Sequence, residues 1–311
     1  MDIKKRIIEL SKSHFNDIVT IRRELHKHPE LSYEEHSTAD LIKQELKKTG
    51  LSYSAIFDTG ITGVLEGNKD NGKTIAIRAD IDALPIHEKT GLEYASQAPG
   101  KMHACGHDAH TASLIGTLRV LKELQNELNG KVKFIFQPAE EKLPGGAKKL
   151  IEEGVLENPR PDLIIGQHVY PDLPSGKLGF KPGPYMASSD EIFLTIKGKG
   201  GHGAMPHKIT DTVLVASQII TTLQQTINRL APANIPTVLS FGKFIAEGAT
   251  NVIPDNVHID GTFRTMNEEW REKAHLKITE IAHSLAKNVG AECEIEIKKG
   301  YPVLKNNEPF T

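Results

Sequence analysis

The 311-residue chain is longer than one ordinary hydrophobic core supports, so two domains are expected. Its 38 basic and 40 acidic residues give a net charge of −2, which provides no electrostatic basis for binding nucleic acid or a membrane surface. The sequence contains no apolar run long enough to span a membrane, and no apolar run follows the charged N-terminus. We therefore expect no membrane anchor and no secretory signal, and a cytoplasmic location.

The first half of the chain alternates between helical and strand-like patterns of apolar residues. Helical spacing predicts helices over residues 3–27, 34–48, 112–128 and 145–156. Apolar runs predict strands over residues 62–66, 74–80, 132–136 and 162–168. Pro29 ends the first helical pattern, because a proline disfavours helix at the residue before it. The alternation of strands and helices is typical of an α/β fold with a mostly parallel sheet.

The pattern changes near residues 182–184 (PGP). Beyond them, elements are predicted in the order strand, helix, strand, strand, helix, strand, at residues 192–197, 211–230, 237–244, 257–266, 267–289 and 292–298. This βαββαβ order is typical of an α+β sandwich, with helices on one face of an antiparallel sheet. We therefore predict a first domain over residues 1–187, an inserted domain over 188–298 and a return to the first domain over 299–311.

Residues 102–110 (MHACGHDAH) concentrate metal-ligating side chains in a short stretch. Cys105 and His107 are two positions apart, so in an extended segment they face the same side. Gly106 between them lets the backbone turn tightly around an ion. Thiolate and imidazole suit zinc, and added carboxylates also suit manganese or cobalt. A disulfide is not expected, because the only other cysteine, Cys293, lies among alternating charged residues.

Acidic and imidazole side chains follow three of the predicted strands. Asp80 ends one strand, Glu140 and Glu141 follow a second, and His168 ends a third. Functional groups in open α/β sheets cluster where parallel strands end, so these residues are predicted to share one site with the cysteine and histidine stretch. The alternatives to this interpretation are a buried structural thiol and a solvated acidic turn.

Five motifs carry a resemblance to a known family. They are residues 78–85 (RADIDALP), 102–110 (MHACGHDAH), 137–141 (QPAEE), 200–207 (GGHGAMPH) and 251–255 (NVIPD). In these motifs and their order, the sequence resembles metal-dependent amidohydrolases of the aminoacylase and carboxypeptidase G type. Within that family it is most similar to the hippurate hydrolase and indole-acetyl-amino-acid hydrolase branch. The resemblance implies two divalent metal ions, a small N-acyl amino acid as substrate, and a homodimer formed through a capping domain.

The resemblance also implies how the first domain works. The residues that match metal ligands are Cys105, His107, Glu141 and His168. Glu140 matches the general base that takes a proton from a metal-activated water during amide hydrolysis.

Four further residues match family positions around the substrate. Asp80 matches an aspartate that supports the metal ligands, and His202 matches a capping-domain histidine that reaches the active site of a neighbouring subunit. Asn251 and Arg264 match positions that hold the substrate carboxylate. From the residues alone, the alternatives are a turn histidine with no role at position 202 and a solvated strand arginine at position 264.

Members of the resembled family continue beyond the point equivalent to residue 311 and carry one more metal-ligating histidine there. No histidine follows His283 in this sequence, so we expect its ligand set to lack one member and its own hydrolase activity to be low. Two functions stay open at this point: a metal-dependent amidohydrolase, and a shortened, inactive, dimerising relative with a partial metal site. A zinc nucleobase deaminase is excluded because the sequence has no P-C-x-x-C motif.

Overall fold

A computed structural model describes the chain over residues 2–311, for the backbone only at positions 70 and 71. The chain divides into two compact units, one ending at Pro174 and the other spanning Ser175–Thr311. The α/β class is confirmed, and domain boundaries at residues 187 and 298 stay a prediction. Within the described residues, no helix combines the length and apolar character needed to cross a membrane.

The first unit contains a central sheet with helices on both sides. Its helices are α1 (Ile3–Lys27), α2 (His36–Lys48), α3 (His107–Glu123) and α4 (Gly146–Glu152). Its strands are β1 (Ser54–Ile56), β2 (Gly60–Glu66), β3 (Lys69–Asp80), β4 (Asn129–Gln137) and β5 (Leu163–Gly166). Helix α4 ends before the predicted residue 156, because Gly154 adopts a left-handed conformation (φ 82°) directly after the helix.

The sheet of the first unit has the strand order β1-β2-β4-β3-β5. Strand β3 is parallel to both β4 and β5, whereas β2 is antiparallel to both β1 and β4. The sheet is therefore mixed. The reason lies in the connections: a short turn joins β1 to β2 and forces them antiparallel, while α3 and α4 supply the long crossovers that parallel strands need.

The central strand β4 is buried on both faces, which explains its unbroken apolar run. Phe134 and Phe136 pack into the core formed with α1, α2 and α3. Ile135 points to the other face and packs against Leu150 of α4. Each fully buried aromatic side chain contributes about 1.5–3 kcal/mol to folding, so this strand anchors the sheet edge that follows it.

The second unit has its own core and sheet. Its helices are α5 (Thr212–Leu230) and α6 (Glu268–Asn288). Its strands are β6 (Gly183–Met186), β7 (Asp190–Lys197), β8 (Gly201–His202), β9 (Thr237–Ile245), β10 (Val252–Ile253), β11 (Asn256–Thr265), β12 (Glu292–Lys299) and β13 (Leu304–Asn306). The side chains of Asp211 and Asn267 accept hydrogen bonds from backbone N–H groups in the first turns of α5 and α6, which fixes where each helix begins.

The main sheet of the second unit is antiparallel, with the order β12-β7-β11-β9. Side chains alternate between buried and exposed along β7, and the buried ones join Ile219 of α5 and Ile278 of α6 in one core. The predicted βαββαβ sandwich is thus present in this unit. Strands β8 and β10 form a separate pair, as do β6 and β13.

Candidate metal centre

Three parallel strands of the first unit end at the same edge of the sheet. Asp80, the last residue of β3, lies opposite Gln137, the last residue of β4. Gly166, the last residue of β5, lies opposite Arg78. The β5 pairing stops there, so the predicted strand over residues 162–168 is shorter and His168 extends past it. The segments that carry the predicted carboxylates and imidazole therefore leave the sheet side by side.

Gly106 shapes the segment that carries Cys105 and His107. Helix α3 begins at His107 rather than at the predicted residue 112, so the two side chains do not lie on an extended segment. Gly106 has φ 85° and precedes the first helical residue. A Cβ at this position would lie 2.4 Å from Cγ2 of Val169. Glycine is therefore required both by the backbone conformation and by the close approach of the neighbouring segment.

Cys105 and His168 are direct neighbours at the sheet edge. The Cys105 Sγ lies 3.2 Å from His168 Nε2. The His168 Nδ1 donates to the Val169 carbonyl at 2.7 Å, which aims Nε2 at the thiol. The neighbouring imidazoles of His107 and His168 lower the pKa of the Cys105 thiol, and the thiolate is the form that binds metal. Ligand atoms of Cys105, His107 and His168 all lie within 4.8 Å of one another.

Asp82 fixes the ring of His107. The His107 Nδ1 lies 2.8 Å from the Asp82 carbonyl oxygen and 3.3 Å from its Oδ1, and both side chains are completely buried. Burial alone would lower the pKa of His107, but the neighbouring Asp82 carboxylate and Cys105 thiol raise it to about 11. The surroundings of this ring therefore favour a positive charge at its other nitrogen, whether that charge is a proton or a metal ion.

One nitrogen of this ring and one nearby carboxylate oxygen have the features of metal ligands. His107 Nε2 and Glu141 Oε1 lie 3.9 Å apart. Both atoms are buried, and neither has a hydrogen-bond partner within the part of the chain that the structure describes. Because buried polar atoms are rarely left unsatisfied, a cation between them fits the site. The protein contacts therefore agree with a metal at this position.

Glu140 lies next to these atoms. His107, Glu140 and Glu141 form a second group whose ligand atoms all lie within 4.8 Å of one another. Burial raises the pKa of Glu140, and the nearby negative charges of Asp80 and Glu141 raise it further. A carboxylate whose pKa is closer to neutral is better suited to exchange protons with a substrate than an ordinary surface glutamate.

Asp80 and His110 form a third group with His107. Asp80 is ion-paired with Arg78, and its Oδ2 lies 3.9 Å from His110 Nδ1. The backbone N–H of Val169 donates to His110 Nε2 at 3.0 Å, so the proton of this ring is on the side facing Asp80. Burial lowers the pKa of His110, which favours the neutral form of the ring.

Sequence reasoning assigned no role to Asp82 or His110. The spacing of His107 and His110, three positions apart on one helix, was a usable signal once α3 was known to begin at His107. Nothing in the sequence distinguished the contact between Asp82 and His107, because the two residues are far apart in the chain. The donor types of all three groups suit zinc, manganese or cobalt, and together they exceed the needs of one four-coordinate ion.

The second unit carries the remaining predicted residues. His202 lies in β8, and its Nδ1 accepts from the backbone N–H of Ala204 at 3.1 Å. Asn251 is adjacent, because its carbonyl accepts from the N–H of the residue after His202 at 2.8 Å. Arg264 lies on the exposed side of β11, eight positions beyond Asn256 and therefore about 26 Å along the strand. One copy of this unit brings His202 and Asn251 together, and it does not bring Arg264 to them.

Comparison with known proteins places these residues in context. A family model described as peptidase family M20/M25/M40 matches residues 76–311. An N-acyl-L-amino acid amidohydrolase of Geobacillus stearothermophilus is 41% identical over 306 residues, which cover 98% of this chain and 81% of the relative. An IAA-amino acid hydrolase of Arabidopsis thaliana is 44% identical over 282 residues, covering 90% and 64% of the two chains.

A solved structure from Bacillus subtilis is similar to this chain. It is described as a dinuclear metal-binding peptidase from the M20 family. The two chains superpose with a TM-score of 0.82 at 40% sequence identity, over 96% of this chain and 78% of the other.

Proposed function

Because the chain belongs to peptidase family M20/M25/M40 and is a hydrolase, we propose that it cleaves the amide bond of N-acyl amino acids at a site for two divalent metal ions. The observation that carries the proposal is the pair of buried, facing atoms His107 Nε2 and Glu141 Oε1, with Glu140 beside them. The names of the similar proteins, an N-acyl-L-amino acid amidohydrolase and a dinuclear metal-binding peptidase, support it.

Four side chains of the first unit would hold the ions: Cys105, His107, Glu141 and His168. When bound, the ions lower the pKa of a coordinated water and polarise the amide carbonyl. The thiolate and the imidazoles favour zinc, while the carboxylates also suit manganese or cobalt.

Glu140 is the general base in this proposal. Its carboxylate takes a proton from the attacking water and returns that proton to the leaving nitrogen of the amide. Asp80, held by Arg78, adds negative charge near Glu140 and so helps to raise the pKa of the base. The two adjacent glutamates thus divide the work, since one binds metal and the other moves protons.

The second unit supplies groups that recognise the substrate. His202 donates to the oxyanion that forms when water attacks the carbonyl. Asn251 and Arg264 bind the carboxylate of the amino acid, Arg264 by paired hydrogen bonds. His202 and Asn251 lie near one end of β11 and Arg264 near the other, which supports a site completed by two subunits. We therefore propose a homodimer in which the capping domain of one subunit serves its partner.

The proposed division of labour between metal binding and substrate recognition corresponds to two domains. Residues 1–187 form the catalytic domain, residues 188–298 form the capping and dimerisation domain, and residues 299–311 begin the return to the catalytic domain. The substrates that this arrangement fits are small acyl conjugates of amino acids, such as hippurate and N-acetyl amino acids.

Exchange of each glutamate for glutamine tests the division of work between them. Glu140→Gln should keep its metal and lose at least about 100-fold in kcat, because general base catalysis of this kind contributes about 10²–10⁴-fold. Glu141→Gln should lose both metal and activity. Metal content is measured by elemental analysis, and turnover by release of the free amino acid from hippurate and N-acetyl amino acids.

Glu152→Gln is the matched control, because Glu152 lies on the exposed surface of α4. It should retain both metal and turnover. Equal loss of metal from the Glu140 and Glu141 variants would contradict the proposed roles, as would full turnover by Glu140→Gln.

A further inference from the structure

The segment that carries Glu140 has an unusual backbone. Ala139, directly before it, is completely buried and has φ 50°. This value lies in the left-handed region, which residues other than glycine rarely adopt. Such a conformation persists only where the surroundings hold it in place. The position of the Glu140 side chain therefore depends on whatever holds Ala139.

Three hydrogen bonds hold this segment through its backbone. The N–H of Ala139 donates to Glu35 Oε1 at 2.8 Å. The carbonyl of Ala139 accepts from the N–H of Gly146 at 2.8 Å. The N–H of Glu141 donates to Asp82 Oδ2 at 2.9 Å. Glu140 thus lies between two carboxylates, each of which fixes a different neighbouring peptide.

Glu35 is committed to this contact. The residue is completely buried, and its second oxygen accepts from the hydroxyl of Thr59 at 2.8 Å. Although Glu35 immediately precedes α2, it does not cap that helix, because Glu30 accepts from the N–H groups of Ser37 and Thr38. Burying a carboxylate against neutral donors costs free energy. Neither helix capping nor an ion pair within the described residues explains why Glu35 is buried here.

We propose that Glu35 is a positioning residue for the general base: it holds the Ala139 peptide in its left-handed conformation and thereby aims the Glu140 carboxylate. This inference rests on the proposed role of Glu140. Glu35 acts through the backbone and does not contact the reacting atoms. Because Asp82 holds Glu141 independently, loss of Glu35 releases the base while the metal-binding glutamate stays in place.

Substitutions at Glu35 separate this role from a general structural one. Glu35→Ala should lower kcat by about 10–100-fold, since a misplacement near 1 Å costs on the order of 100-fold, while KM and metal affinity change less than about threefold. Glu35→Gln should stay within about threefold of the parent, because its amide oxygen still accepts from Ala139 and its NH₂ still meets Thr59. Glu34→Ala is the matched control, because the neighbouring Glu34 is exposed and pairs with Lys101 at the surface.

Amide hydrogen exchange gives a readout that needs no turnover. The N–H of Ala139 should exchange faster in Glu35→Ala than in the parent, and at the parental rate in Glu35→Gln and Glu34→Ala. If Glu35→Ala does not fold, Glu35→Asp replaces it. The shorter side chain withdraws the acceptor by about one C–C bond, roughly 1.5 Å, and should lower kcat in the same way.

Four results would overturn the inference: parental kcat in Glu35→Ala or Glu35→Asp, unchanged exchange at Ala139, equal loss of kcat in Glu35→Gln, or loss of metal in parallel with kcat. Glu140→Gln, measured beside these variants, distinguishes a wrong assignment of the general base from a wrong positioning role for Glu35. If that variant is fully active, the proposed base is wrong. If it is inactive while Glu35→Ala keeps parental kcat, only the positioning role is wrong.

Discussion

Asp190 is the centre of a buried network of hydrogen bonds in the second unit. It begins β7 and is completely buried, as is the guanidinium that faces it. Arg271 donates Nε to Asp190 Oδ2 at 2.9 Å and Nη2 to Oδ1, and His275 Nε2 donates to Oδ2 at 2.8 Å. The backbone N–H of Gly300 adds a further bond at 3.1 Å. Asp190 therefore joins β7, α6 and the segment after β12.

We expect Asp190→Ala to destabilise the second unit by about 3 kcal/mol. Removal of one partner from a buried ion pair costs about 3–5 kcal/mol, because the other charge stays buried without compensation. The lower end applies, because Arg271 keeps Glu268 at 3.0 Å and the Gly300 carbonyl at 3.2 Å. For a unit of about 140 residues, this corresponds to a fall of roughly 10 °C in Tm.

The loss should depend on pH in a defined direction. Burial would raise the pKa of Asp190, but hydrogen bonds from Arg271 and His275 hold it well below its ordinary value of 3.8. The stabilisation is therefore fully present above about pH 4, near the pKa in the unfolded chain, and is lost as pH falls through the folded pKa. The difference between parent and variant should be constant from pH 8 to about pH 5 and should shrink below about pH 4.

Urea unfolding followed by tryptophan fluorescence measures this difference in the intact chain. Trp270 is the only tryptophan of the sequence and is buried in α6, so its emission reports on the second unit. Asp260→Ala is the control: Asp260 is half-buried and pairs with Lys243 on the neighbouring strand, a contact worth below about 1 kcal/mol. If Asp190→Ala costs no more than this control, or if the difference grows in acid, the reasoning is refuted.

Two further predictions concern the metal centre and the subunit contact. With cobalt bound, a Cys105 thiolate should give a near-ultraviolet charge-transfer band that Cys105→Ser removes and Cys293→Ser retains. A band that persists in Cys105→Ser would show that this thiol does not coordinate the metal. A His202→Ala subunit mixed with a Glu140→Gln subunit should regain part of the parental turnover if His202 serves the neighbouring active site. Mixed dimers that are as inactive as both parents, with subunit exchange shown by differential tags, would contradict this.

The sequence allowed good prediction wherever one local pattern determined the structure. Phe134 and Ile135 lie in an apolar run that predicted a strand, and Glu140 follows that strand. The order of elements in the second unit followed in the same way from local patterns of apolar residues, and the predicted start of α6 at Asn267 lies at the capping residue of that helix.

Prediction failed where distant segments decide the outcome. Helix α3 starts directly after Gly106, where Val169, distant in the sequence, leaves no room for a Cβ. Glu35 looked like one of several acidic residues at the start of a helix, and only the fold brings it to Ala139. Asp82 has the same character, since it meets His107 and Glu141 only after β3, β4 and α3 have packed.

The placement of His168 has a consequence for the rate at which the site exchanges its ions. Strand β5, which leads to His168, is only four residues long and pairs with β3. A strand of only four residues opens locally more often than a long one. An ion shared by His168 and Cys105 would tie the end of β5 to the start of α3, so occupancy and closure of this strand are linked by mass action. The rate at which the ion dissociates would then depend on how often this four-residue strand opens. Amide exchange in β5 should accordingly become slower as the metal concentration rises.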